Sequence, residues 1–167
     1  MTSSEDFGVY LHIPFCAHRC GYCAFATWSD RHHLESAYLE AVGVDIERAV
    51  QKGMPPASSI FVGGGTPSLV SADRLASAIS SIPRREDAEI TLECNPDDVT
   101  SEGLRELCAA GVNRISLGVQ STIPHVLTSL DRTHDVENVQ HAVECIRSVG
   151  ISTFNLDLIY GTAGETV

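Results

Sequence analysis

Lysine is nearly absent. Of the 11 basic residues in 167, Lys52 is the only one that is not arginine, and 22 acidic residues leave a formal net charge of −11. A non-specific nucleic-acid binder or an anionic-membrane binder needs the opposite sign, and no basic cluster is larger than Arg84-Arg85. Nucleic acid is therefore excluded as the expected partner. Long hydrophobic runs are also missing: none approaches the ~20 residues of a membrane-spanning helix. The N-terminal stretch MTSSEDFGVY carries acids where a secretory leader needs bases. The expected compartment is the cytoplasm, where the 6 cysteines read as thiols or ligands rather than as a disulfide framework. At 17.9 kDa and 43% hydrophobic residues, the chain is long and apolar enough for one core of its own.

Hydrophobic periodicity alternates between two modes. Val9–Ile13 reads as a strand ended by Pro14, and residues 14–30 read as a loop. From Arg31 a helical period places Leu34, Tyr38, Val42, Ile46 and Val50 on one face, closed by Gly53 and Pro55-Pro56. Ser59–Val62 is a strand leading into Gly63-Gly64-Gly65-Thr66-Pro67, and Ser71–Ile82 is a helix with Leu75, Ile79 and Ile82 inward. Ala88–Cys94 is a strand. A helix capped by Thr100 or Ser101 follows and stops at Gly111. Val112–Val119 is a strand, Ser121–Leu130 holds a short helix, and Asp135–Val149 is a longer one with Val136, Val139, Val143 and Ile146 on one face. Ser152–Tyr160 is the fifth strand. Strand then helix, four times over and then a strand, predicts an α/β fold of parallel βα units. A parallel sheet needs covering helices and a barrel needs closure. The lone last strand is therefore expected to belong to the N-terminal part of a longer protein; the alternative is a complete open five-stranded domain.

Cys16, Cys20 and Cys23 follow the first strand with the spacing C-x3-C-x2-C. Three thiolates from one short loop suit a soft metal site. A [4Fe–4S] cube takes four ligands, so three cysteines leave one iron open to a non-protein ligand. Zinc wants four donors, and His18 inside the loop could supply the fourth. Redox-active or plain thiols are the remaining reading. Cys94, Cys108 and Cys145 sit in periodic segments and fit ordinary buried thiols.

The stretch YLHIPFCAHRCGYCAF resembles the signature of radical S-adenosylmethionine enzymes, and more narrowly the branch that holds oxygen-independent coproporphyrinogen III oxidase and HemW-like heme chaperones. FVGGGTPSLV, LECNPDDVT, GVNRISLGVQS, LDRTHD and NLDLIYG agree, so the resemblance runs from Val9 to about Thr166. It implies a partial (βα)6 barrel, here truncated after the fifth parallel strand. Residues 1–167 would then form a radical SAM core lacking its sixth βα unit and C-terminal region, with an exposed edge and reduced stability. It also implies a [4Fe–4S] cluster on Cys16, Cys20 and Cys23, whose fourth iron is chelated by S-adenosylmethionine, and release of a 5′-deoxyadenosyl radical on reduction.

The same resemblance supplies the cofactor-binding candidates. Tyr10 would stand near the cluster and Phe25 beside the adenine. Gly63, Gly64, Gly65 and Thr66 would meet the methionyl group through their backbone, although a tight strand-to-helix turn is the plainer reading of the glycines. Glu93 and Gln120 would contact an ammonium, a carboxylate or ribose hydroxyls. Arg132 would fork to the methionyl carboxylate, and Asp157 would face the ligand. Phe15 and Tyr22 are expected to shield the cluster, and His12 to hydrogen-bond the loop. Ala163 stands where the family usually has proline, which removes a φ restraint. The oxidase carries a further cysteine two residues beyond the third; here that position is Phe25. The resemblance therefore implies a heme chaperone, with heme or a porphyrin as cargo and respiratory hemoproteins at the membrane periphery as acceptors. The alternatives are the oxidase reaction or an inactive remnant. No heme ligand is singled out among His18, His32, His33, His125, His134 and His141.

Overall fold

A computed structural model describes residues 6–165; Thr166, the expected end of the family resemblance, lies outside them. The elements are β1 (Gly8–Ile13), α1 (Glu35–Gln51), β2 (Ala57–Gly64), α2 (Ala72–Ser80), β3 (Arg84–Cys94), α3 (Ser101–Ala109), β4 (Arg114–Gln120), α4 (Pro124–Ser129), α5 (Val136–Ser148) and β5 (Thr153–Leu158). The five strands form one sheet in the order β1-β2-β3-β4-β5, and every neighbouring pair is parallel. The sheet is not closed, so β1 and β5 are its outer strands.

The two faces of this sheet differ in chemistry. Leu11, Ile13, Ile60, Val62, Ile90, Leu92, Ile115 and Leu117 are all buried on the side covered by helices. The alternate positions, among them His12, Glu93, Ser116, Asn155 and Asp157, form the opposite, polar face. Parallel strands sandwiched between helices read as continuous apolar runs. Alternation within a parallel sheet marks one that faces a ligand space on its uncovered side.

Helix ends follow the expected chemistry. The Thr100 hydroxyl accepts from Gly103 N at 3.1 Å. Asp135 and Asn138 close a reciprocal capping box at 2.9 and 3.0 Å. Gly53, Gly111 and Gly150, at positive φ, end α1, α3 and α5. The faces need correction. α1 starts at Glu35, not at the expected Arg31; its buried residues are Leu39 and Ile46, while Val50 near its end and Leu34, in the 3-10 turn before it, are exposed. A repeat of four overshoots a helical turn by about 40° each step, so its two ends rotate off the core. Val136 is exposed at the start of α5, where Val139, Ala142, Cys145 and Ile146 are buried. β3 begins at Arg84, four residues before the expected Ala88. No helix among the described residues is long and apolar enough to cross a membrane.

Candidate functional site

The loop after β1 leaves the sheet at Pro14 and returns beside itself. Trp28 N donates to Pro14 O at 2.8 Å and Cys16 N to Trp28 O at 3.1 Å, while Phe15 and Trp28 form a parallel bridge. This clasp holds residues 16–27 over the carboxyl ends of the strands, where open α/β sheets bind ligands. Cys16, Cys20 and Cys23 all line one cavity there. Cys16 is buried, and Cys20 and Cys23 are half-buried.

The end of β2 packs against this loop from below. Gly65 N donates to Ile13 O and Thr66 N to Phe15 O, both at 2.7 Å. A Cβ on Gly65 would lie 2.5 Å from Phe15 O and 3.0 Å from Cys16 Sγ, so only glycine fits. Gly64 sits at φ 120°, and its amide donates to Glu93 Oε2 at 2.9 Å. Gly64, Gly65, Thr66, Phe25, Glu93, Gln120, Arg132 and Asp157 line the same cavity as the cysteines.

Two expected residues do not. Gly63 lies behind Glu93, whose Oε2 would be 2.6 Å from a Cβ added there. Tyr10 lies two residues earlier on the polar face, its ring 6.2 Å from that of Phe61 and its hydroxyl 2.9 Å from His12 Nδ1. His12 holds the loop as expected, through Nε2 and Ala26 O at 2.9 Å. Because a carbonyl only accepts, Nε2 carries the proton and the Tyr10 hydroxyl donates to Nδ1. Phe15 is not a shield over the cavity. It is buried on the helix side, edge-on to Tyr38 at 5.5 Å, because it continues the alternation that sends Leu11 and Ile13 there. Tyr22 does line the cavity.

The remaining wall is a hydrogen-bonded set. Arg132 Nη2 donates to Asn95 Oδ1 and Gly118 O, both at 2.8 Å, and Nη1 lies 3.7 Å from Cys20 Sγ. Asp157 accepts from Ser116 Oγ at 2.7 Å and Asn155 Nδ2 at 2.6 Å. Asn155 Oδ1 in turn accepts from Arg114 at 2.6 Å. Gln120 reaches the cavity from φ 63°, at a register shift between β4 and β5. Asn95, Ser116 and Gly118 line the cavity and were not anticipated. Ser116 shares the strand face of Gly118, two residues away, whereas Asn95 is brought there by a contact across the fold, with Arg132.

Burial pushes the Cys16 thiol up, and the neighbouring Thr66 and Thr27 hydroxyls oppose the rise. Burial likewise raises Glu93, with the Gly64 amide opposing and Asp157 adding to the rise. Cys94, next to Glu93 in β3, is buried in the wall of the same cavity; burial pushes it up to about 12 and it stays a thiol. His134 is buried with Nε2 at 2.8 Å from Val119 O; burial lowers its pKa, so it is a core group rather than a solvent histidine.

Among the described residues no three His, Cys, Asp or Glu side chains converge tightly enough to hold a single metal ion. His18 Nε2, 3.9 Å from Cys20 Sγ, is occupied with Asp131 O at 2.5 Å. Three thiols lining one cavity suit a cube, which takes one thiolate per corner iron. A buried hydroxyl without a partner, Thr27 Oγ1, stands in the same wall.

A parallel βα sheet with a three-cysteine loop over its carboxyl edge defines a class of cluster-binding α/β proteins. The sequence matches the Radical SAM superfamily over residues 10–167, and the chain belongs to it. The heme chaperone HemW of Mycobacterium tuberculosis is 40% identical over 170 residues, covering 97% of this chain and 44% of that protein. HemW of Escherichia coli is 32% identical over 173 residues, covering 100% and 46%. Among solved structures, coproporphyrinogen III oxidase (HemN) from Escherichia coli has a TM-score of 0.86 at 30% identity, covering 96% of this chain and 38% of that one. The methyltransferase TsrM from Kitasatospora setae, with a TM-score of 0.68 at 19% identity, shares the fold alone. The chain spans less than half the length of the curated relatives it matches.

Proposed function

We propose that residues 1–167 are the core of a HemW-like heme chaperone, incomplete on the C-terminal side relative to those proteins. The core would bind a [4Fe–4S] cluster, S-adenosylmethionine and heme, and the protein would hand heme to respiratory hemoproteins at the membrane periphery from a cytoplasmic position. The observation that carries the reading is the single cavity shared by Cys16, Cys20, Cys23, Glu93, Gln120, Arg132 and Asp157. The three thiolates would hold three irons. Arg132, braced on Asn95 and Gly118 O, presents a cation for a carboxylate. Glu93, Gln120 and Asp157 present acceptors for an ammonium or ribose hydroxyls. Gly64, Gly65 and Thr66 let the backbone approach the methionyl group, and Phe25 offers an exposed ring to the adenine. Tyr10 and Gly63 support this wall from behind. When bound, the reduced cluster and S-adenosylmethionine supply one-electron cleavage of the sulfonium.

Phe25 at the position of the oxidase's extra cysteine, and the identity to HemW proteins, favour the chaperone. The fold similarity to HemN favours the second reading, oxidative decarboxylation of coproporphyrinogen III. Anaerobic reconstitution with iron and sulfide, with EPR before and after S-adenosylmethionine, tests the open iron; the expected result is a changed spectrum. Heme titration then separates the readings: saturable heme binding without anaerobic turnover of coproporphyrinogen III supports the chaperone, and turnover supports the oxidase. A chain that takes up no cluster is the inactive remnant.

A further inference from the structure

The three cysteines are not equivalent. Cys16 is 9% exposed and flanked by two buried hydroxyls, Thr27 at 5% and Thr66 at 4% exposure. All three residues line the cavity. The clasp that returns the loop places Thr27 beside Cys16. Trp28, its neighbour, exchanges backbone hydrogen bonds with Pro14 and Cys16, and Thr27 N donates to Phe25 O at 2.9 Å. Thr66 is fixed on the other side through Thr66 N and Phe15 O. Its Oγ1 accepts from Asn95 Nδ2 at 3.2 Å, which leaves its own proton to donate. Thr27 Oγ1 is buried and has no partner at hydrogen-bond geometry. A buried hydroxyl left so is costly, and Thr27 shares the lining of one cavity with Cys16. Cys20 is served differently, by the Arg132 guanidinium at 3.7 Å.

We propose that Thr27, seconded by Thr66, is a positioning residue for the cluster: its hydroxyl donates to the Cys16 thiolate once that sulfur ligates iron. This rests on the cluster reading above. The consequence is electronic. Reduction adds a negative charge to the cluster, and donors to its sulfurs stabilise that charge and raise the reduction potential.

The test is an EPR-monitored redox titration of the reconstituted full chain. T27V keeps the branched shape and removes the donor; T27S keeps the donor and removes the methyl group. The expected result is a midpoint potential shifted downward in T27V, near wild type in T27S, and shifted downward in T66V. Equal potentials in T27V and wild type at equal iron content would overturn the proposal. Loss of iron uptake in T27V but not in T27S supports it, because only the hydroxyl differs in kind. Loss in both variants counts against it, since shape rather than donation is then what matters. A wild-type chain that takes up no cluster overturns the cluster reading itself.

Discussion

Gly21 N donates to Asp131 Oδ2 at 2.9 Å, joining the cysteine loop to the connection between α4 and α5, 110 residues away in sequence. Asp131 holds φ 52°, a left-handed conformation uncommon outside glycine, and His18 Nε2 donates to its carbonyl at 2.5 Å. One residue later Arg132 reaches Cys20. A single strained turn thus grips the loop at Gly21 and His18 while it aims the guanidinium at the Cys20 sulfur.

Loosening that turn is expected to reduce cluster uptake more than stability. A Cβ at Gly21 would fall 2.6 Å from Asp131 Oδ2, so G21A must push the turn away. D131A removes the acceptor outright, at a cost of about 1 kcal/mol because the contact is exposed. Both variants should bind less iron per chain on anaerobic reconstitution, with a melting temperature within a few degrees of wild type. D131N, which retains a carbonyl acceptor, should recover most of the iron. Full iron content in G21A would show that the turn does not position the loop.

Glu93 couples stability to pH. Burial raises its folded-state pKa above the ordinary 4.5, so the folded protein binds this proton more tightly than the unfolded chain does. The ionised form therefore costs stability at neutral pH, and the cost disappears as pH falls to the ordinary carboxylate value. E93Q keeps an acceptor for Gly64 N and removes the charge. It should raise the denaturation midpoint at pH 7 to 8, with the gain shrinking toward pH 4.5, and should weaken S-adenosylmethionine binding. Chemical denaturation across pH checks the first part and equilibrium dialysis the second.

The core under the sheet is conventional, and its failure should be too. Leu75 in α2 is fully buried. L75A should cost about 2–5 kcal/mol by loss of transfer energy and creation of a cavity, read from the urea midpoint at unchanged m-value.

Much of this architecture was legible in the sequence because it is local. Alternating strand and helix periods, the glycines that end α1, α3 and α5, and a cap for α3 at Thr100 or Ser101 depend on neighbours within a few residues. The spacing of Cys16, Cys20 and Cys23 is local as well. What was not legible depends on contacts across the fold. Thr27 and Asn95 have no distinguishing pattern; only the clasp between Pro14 and Trp28 and the packing of β3 beside the loop bring them to the cavity. Gln120 was identified, but its left-handed backbone was not, since nothing in the run Val119-Gln120-Ser121 announces it. The family resemblance puts Tyr10 near the cysteines, yet it does not line the cavity: it stands two residues before His12 on β1, about 7 Å further down the strand.

The β5 edge predicts a concentration-dependent association. Leu156 and Leu158 on β5, and Tyr160 two residues beyond it, are 44%, 67% and 92% exposed at this outer strand. Exposed apolar side chains on an unpaired strand edge are a template for pairing with another chain. Light scattering of the 167-residue chain should show a rising apparent mass with concentration, and L158K should reduce it. A monomer at all concentrations for the unsubstituted chain would contradict this.

Arg132 makes the sharpest substitution because charge and shape separate there. Its guanidinium spans Asn95 Oδ1, Gly118 O and the neighbourhood of Cys20 Sγ at once. A Cβ on Gly118 would stand 3.5 Å from Nη2, so the wall is already closed around the fork. R132K keeps the positive charge but supplies a single ammonium that reaches one of these partners. If charge alone holds a carboxylate in the cavity, R132K should bind S-adenosylmethionine nearly as well as wild type. The braced geometry predicts otherwise: at least a tenfold weaker affinity, about 1.4 kcal/mol, with iron content retained. The EPR change produced by S-adenosylmethionine in reconstituted R132K, titrated against the wild-type curve, decides between them.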